Sequence, residues 1–72
     1  MIPDGYEPKV AEWFRILKPC KGFGWSYGHD LEVPAGSEGS LDEVYGDVYC
    51  LEVDTEDQVI EVLVNKKDLE PI

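Results

Sequence analysis

Gly39-Ser-Leu-Asp-Glu-Val-Tyr45, Gly46-Asp47, Val48-Tyr-Cys-Leu-Glu-Val53, Asp54-Thr-Glu-Asp-Gln58, Val59-Ile-Glu-Val-Leu-Val64, Asn65-Lys-Lys-Asp-Leu-Glu-Pro-Ile72: this stretch decides the fold. It holds three β-branched and aromatic runs separated by turn residues, the signature of a tightly turned β-meander. Gly46-Asp47 is a two-residue hairpin connection, with glycine supplying the positive φ such turns require. Along Val48–Val53, Tyr49, Leu51 and Val53 share one face, while Val48, Cys50 and Glu52 share the other. Ile60, Val62 and Val64 alternate with Glu61 and Leu63 in the same way. One face of each strand points into a core, as in a small antiparallel sheet. Asp54–Gln58 carries three acids and reads as a solvated turn. Leu69 is placed to anchor the end of the stretch.

Upstream, Lys21–Ser40 contains five of the seven glycines and reads as a long loop. Within it Phe23, Trp25 and Tyr27 alternate with Gly24 and Ser26, so three rings project from one side of an extended backbone. Leu31-Glu32-Val33 is a short extended piece ended by Pro34. Further back, Val10, Trp13, Phe14 and Leu17 have the spacing of one helical face. The reading adopted is a short helical or irregular turn over Pro8–Trp13, then a strand from about Phe14 to Cys20. The chain reads as one domain, with residues 1–13 an N-terminal extension. The expected core is Phe14, Ile16, Val33, Leu41, Val44, Leu51, Val53, Ile60, Val62 and Leu69.

Charge is the most unusual property. Sixteen Asp and Glu face six Lys and Arg, a formal net charge of -10. From Gly22 to Asn65 there is no Lys or Arg. The acids Asp42, Glu43, Asp47, Glu52, Asp54, Glu56, Asp57 and Glu61 all fall in that span. Such a field repels nucleic acid and anionic membranes and attracts basic partners. It also keeps a small domain soluble, so an acidic face has two competing explanations.

Catalytic chemistry finds little footing. One His and two Cys are present, and nothing marks a low-pKa thiol or a base held by an orienting group. Structural zinc needs four Cys or His ligands, and only His29 is available to join Cys20 and Cys50. Asp54, Glu56 and Asp57 lack the spacing of a calcium loop. No enzyme, metal or cofactor is expected. The thiols are expected to be reduced and half-buried in strands, which suits the cytoplasm. The start of the chain lacks a basic, apolar leader, and no segment has the length of a membrane span.

Two resemblances follow from these residues. Lys21-Gly-Phe-Gly-Trp25 resembles the Lys-Gly-Phe-Gly-Phe signature of cold-shock domains, and Glu12-Trp13-Phe14 resembles the Lys-Trp-Phe that precedes it there. That family binds single-stranded nucleic acid by stacking bases on exposed rings. Here the second aromatic motif is replaced by Leu31-Glu32-Val33-Pro34. The Lys and Arg of a backbone-tracking groove are missing after Lys21. Over Phe14–Ile72 the chain resembles the small SH3-like barrels of bacterial and phage proteins of unknown function. The resemblance rests on the Leu31–Gly39 segment, the strand Gly39-Ser-Leu41-Asp-Glu-Val44 and the ending Asp68-Leu69-Glu70-Pro71. It implies a mainly β, SH3-like antiparallel barrel of about five strands with a long first loop. It implies no single function. The expected function is a protein–protein interaction module with a basic partner, acting as accessory subunit, regulator or inhibitor. Phe23, Trp25 and Tyr27 are its candidate anchors and the eight acids its candidate acidic face. A nucleic-acid-mimicking inhibitor, and a cold-shock-like binder of single strands, are the alternatives.

Overall fold

The structure, a computed structural model, describes residues 2–24 and 30–72. Seven strands form one antiparallel sheet: β1 (Trp13–Ile16), β2 (Cys20–Gly24), β3 (Asp30–Val33), β4 (Glu38–Tyr45), β5 (Val48–Asp54), β6 (Val59–Asn65) and β7 (Leu69–Pro71). Their order across the sheet is β3-β2-β6-β5-β4-β1-β7. The class is mainly β, as the meander implies. Among the described residues the count is seven strands rather than about five, and the sheet is open, with β3 and β7 as its edges. Among the described residues no helix is long and apolar enough to cross a membrane.

The meander forms as its turn residues dictate. β4 and β5 are joined through Gly46, whose φ is +62°. β5 and β6 run in continuous register from Val48 opposite Asn65 to Asp54 opposite Val59. Thr55 closes their turn: its hydroxyl donates to the Gln58 carbonyl at 2.8 Å and accepts from the Gln58 amide at 3.1 Å. After β6, Asn65 caps a 3-10 turn over Lys66–Asp68 by accepting from the Lys67 amide, and Leu69 then drops into the core.

Two expectations for the first half are corrected and one is narrowed. Of the two forms expected for Pro8–Trp13 the irregular turn is found and the helical one is not. The segment contains one tight turn, closed by the Glu12 amide donating to the Lys9 carbonyl at 3.0 Å. Ala11 there has a φ of +71°, in the left-handed region that a right-handed helix excludes. The helical spacing was accidental: Val10 is exposed, and Phe14 and Ile16 are buried at the two-residue period of β1. The strand placed over Phe14–Cys20 is two strands, because the chain turns at Leu17–Pro19 and proline cannot continue the ladder. The long loop contains a hairpin. β2 pairs with β3 from Cys20 opposite Val33 to Phe23 opposite Asp30, and β2 also docks on β6.

A glycine of β2 allows that docking. Gly22 and Gly24 point inward. A Cβ on Gly22 would lie 2.4 Å from Ile60 Cγ2 and 2.9 Å from the Glu61 carbonyl oxygen, both in β6, while one on Gly24 would meet the tip of the Gln58 side chain and Leu31 of β3. At Gly22 only glycine admits so close an approach of β2 to β6.

The core comprises Ile2, Phe14, Ile16, Val33, Leu41, Tyr49, Leu51, Val53, Ile60, Val62, Val64 and Leu69. Nine of the ten expected core residues are there. The exception is Val44, which is 43% exposed because β4 runs on past its pairing with β1. Tyr6, Phe14 and Tyr49 stack edge to face, with centroid separations of 6.4 and 5.6 Å. Ile2, in the stretch read as an extension, is buried in the same core and donates its amide to the Lys66 carbonyl at 3.1 Å.

Candidate functional site

The outer face of β2, β6, β5 and β4 carries the candidate site. Its side chains follow from register. Phe23 lies opposite Glu61, Glu61 opposite Glu52, and Glu52 opposite Ser40. One step along, Leu63 lies opposite Cys50 and Cys50 opposite Glu43. Beyond that, Tyr45 pairs with Val48. Directly paired residues of an antiparallel sheet share a face, so these form adjacent rows.

A β-bulge adds Asp42 to the face. The register shifts between Leu41, which faces Leu51, and Glu43, which faces Cys50. Strict alternation would send Asp42 and Glu43 to opposite faces. The bulge lets both point outward. Carboxylate oxygens of Asp42, Glu52 and Glu61 then lie within 4.8 Å of one another. Glu52 and Glu61 are half-buried and Asp42 is exposed. Like charges directly opposite in a sheet destabilise it. Three oxygen donors so placed are hard ligands and would suit a divalent cation as well as a nitrogen cation.

Beside the acids lies a groove of about 400 Å³ with walls formed by Phe23, Tyr45 and Leu63, each more than half exposed. Lys21, Gly22, Asp30 and Cys50 also line it, and Glu61 belongs both to the groove and to the carboxylate cluster. The Tyr45 hydroxyl donates to the Glu43 carboxylate, which pushes its pKa up to about 12. Cys50 is almost wholly buried. Burial raises its thiol pKa first, and the nearby charges of Glu61, Asp42, Glu43 and Glu52 raise it further. Cys20 is raised as well, by burial and then by Glu32. Both thiols are free. Each is therefore held in the protonated, poorly nucleophilic form.

The eight acids do not form one surface. Asp42, Glu43, Glu52 and Glu61 share the outer face just described. Asp47 is at the β4–β5 turn, 3.4 Å from Lys66 Nζ. Asp54, Glu56 and Asp57 lie at the opposite end of the β5–β6 hairpin, about 20 Å along the strand at 3.3 Å per residue. Asp54 lines a second groove there, with Trp13, Pro34 and Glu38. Of the three rings singled out, Phe23 is exposed on the outer face, while Trp25 and Tyr27 lie outside the described residues. Tyr45 and Leu63 were missed as site residues. The period-two pattern places Leu63 on the face of Glu61, a signal that an exposed leucine among acids leaves readable. No protein-family model, no curated protein and no solved structure matches this chain.

Proposed function

We propose that this chain is a protein–protein interaction module for a basic partner, acting as an accessory or regulatory subunit or as an inhibitor. One observation carries the reading: an exposed groove walled by Phe23, Tyr45 and Leu63, with Lys21 at its lining, adjoins carboxylates that form no ion pair among the described residues. Apolar anchors beside uncompensated charge are what a docking surface needs. The anchors supply affinity, and the charges supply steering and discrimination. The raised thiol pKa values of Cys20 and Cys50 support binding rather than nucleophilic catalysis, and two free thiols suit a cytoplasmic setting.

An SH3-like arrangement, in open form, is part of the same proposal. It is supported by the pairing of β1 with β7, by the β2–β3 hairpin inserted between β1 and β4, and by the 3-10 turn before the last strand. Fold of this kind says nothing about the ligand, so the function rests on the face and not on the architecture.

Affinity capture from the source cell tests it, at about 0.1 M and about 0.5 M salt, with and without nuclease. A protein of basic isoelectric point should be retained at the lower salt after nuclease treatment. Association should slow as screening shortens the reach of the charges. Recovery of nucleic acid would favour the cold-shock-like alternative and overturn the proposal. Retention of a nucleic-acid enzyme that nucleic acid itself displaces would select the mimic among inhibitors. Recovery of no protein in any condition would remove the reading.

A further inference from the structure

We infer that the groove and the carboxylate cluster together receive an arginine-bearing segment of the partner, with the guanidinium among Asp42, Glu52 and Glu61 and a neighbouring large apolar side chain against Phe23, Tyr45 and Leu63. The inference rests on the interaction-module reading and specifies its ligand chemistry.

The geometry favours a guanidinium. Three carboxylates within 4.8 Å of one another offer many acceptor lone pairs in a small space. A guanidinium presents five donors in a planar fork and can engage two carboxylates at once; an ammonium is a single, strongly hydrated point charge. Phe23 lies directly opposite Glu61, so the ring stands beside the bound cation and adds a cation–π face. Glu61 belongs to both halves of the surface, which makes the acidic and apolar parts one continuous site. The negative potential there is already felt by Cys50, whose thiol is held protonated by burial and by the same acids.

No cation of the chain pairs with these three carboxylates among the described residues; Lys21 lines the groove but makes no ion pair with them. Arg15, the chain's one arginine, lies 2.7 Å from Glu70 and 3.3 Å from Glu38. Lys66 bridges Asp4 and Asp47, and Lys18 pairs with Asp68. A second copy of the chain is therefore a poor occupant. It brings no uncommitted arginine, and its net charge of -10 opposes approach. A basic segment with apolar flanks matches both halves of the surface.

The test is a titration of the nitrogen-15-labelled chain with acetyl-Leu-Arg-Leu-amide, followed by amide chemical shifts. Saturable shifts at Phe23, Glu52, Glu61 and Leu63 are expected. The same peptide with citrulline, isosteric but uncharged, should bind about tenfold more weakly, as should the Glu61→Gln and Leu63→Ser variants. Leu63 is 63% exposed, so Leu63→Ser leaves the core untouched and a thermal melt verifies folding. Equal binding of the citrulline peptide, shifts confined to another face, or no shifts at all would each overturn the inference. So would saturable shifts at the three acids with millimolar calcium chloride alone that block the peptide, since the cluster would then be a metal site. If capture of a basic protein is unchanged by Glu61→Gln and Leu63→Ser, the module reading stands and this one falls.

Discussion

Replacing Glu61 by Gln should stabilise the isolated domain, although it removes a charged residue that the proposed function uses. Glu61 lies directly opposite Glu52 in the β5–β6 ladder, and both have carboxylate oxygens within 4.8 Å of one from Asp42. A like-charge cross-strand pair costs roughly 0.2–1 kcal/mol. Two unit charges at about 4 Å repel by about 1 kcal/mol even at the dielectric constant of water. Gln keeps the shape of Glu and its stem packing, so the change removes repulsion from two neighbours and little else. A gain of about 0.5–1 kcal/mol is expected. At roughly 4–8 °C per kcal/mol for a domain of this size, Tm should rise by about 2–8 °C. Thermal unfolding followed by circular dichroism at low salt measures it. Combining Glu61→Gln with Glu52→Gln completes a cycle, and the double variant should gain less than the sum because one repulsion is removed only once. In 1 M salt, with a screening length of about 3 Å, most of the gain should vanish. A fall in Tm at low salt, or strict additivity in the cycle, would refute the claim that these carboxylates are crowded.

Gly22→Ala should cost about 1–3 kcal/mol, because the new Cβ would meet Ile60, Val62 and the Glu61 carbonyl at 2.4–2.9 Å; an unchanged urea midpoint would contradict the close docking of β2 on β6. Tyr45 should ionise near pH 12, and Glu43→Gln should bring it back toward the ordinary value near 10, read as the change in phenolate absorbance. Because the folded state holds the Tyr45 proton more tightly than the unfolded chain, this interaction's contribution is whole below pH 10 and is lost as pH rises from about 10 to about 12. Cys50 should react with iodoacetamide along a pH–rate curve whose midpoint lies above that of an exposed thiol, and Glu61→Gln should move that midpoint down. A curve that does not respond to Glu61 would separate the thiol from the acidic face.

Residues of short sequence separation carried most of what could be read in advance. Gly46, the alternation in Val48–Val53 and Val59–Val64, and the burial of Leu69 are local signals, and the meander follows from them. The β2–β3 hairpin was hidden because glycine has low strand propensity and Lys21–Ser40 is rich in it. Gly22 is there for a contact with β6, some forty residues later in the chain, that no local pattern reveals. The helical spacing of Val10, Trp13, Phe14 and Leu17 misled because four positions also fit a turn followed by a strand; the positive φ of Ala11 decides between them. On the candidate site, alternation alone placed Glu52 and Glu61 on one face. Asp42 joined them only through a bulge, which has no signature in the residues around it.

That bulge bears on whether the acidity is more than solubility. A surface built only to stay soluble gains from charge of either position and gains most when like charges are spread apart. Elsewhere this chain does pair its acids. Arg15 sits between Glu38 and Glu70, and Lys66 between Asp4 and Asp47. On the outer face of β4, β5 and β6 it does the reverse. Two glutamates are set opposite each other, an irregularity in the strand adds a third acid, and Phe23, Tyr45 and Leu63 are left exposed beside them. Each of these choices lowers the stability or solubility of the free domain. Departures from local consistency are expected where a site is stabilised by what binds it, and here both departures occupy one contiguous surface around Glu61. A cation with an apolar neighbour would relieve them together: it would neutralise the crowded carboxylates and cover the exposed rings in the same event. Solubility alone accounts for the acids of the Asp54–Asp57 turn, but it gives no reason for the acids to be crowded where the apolar side chains are uncovered.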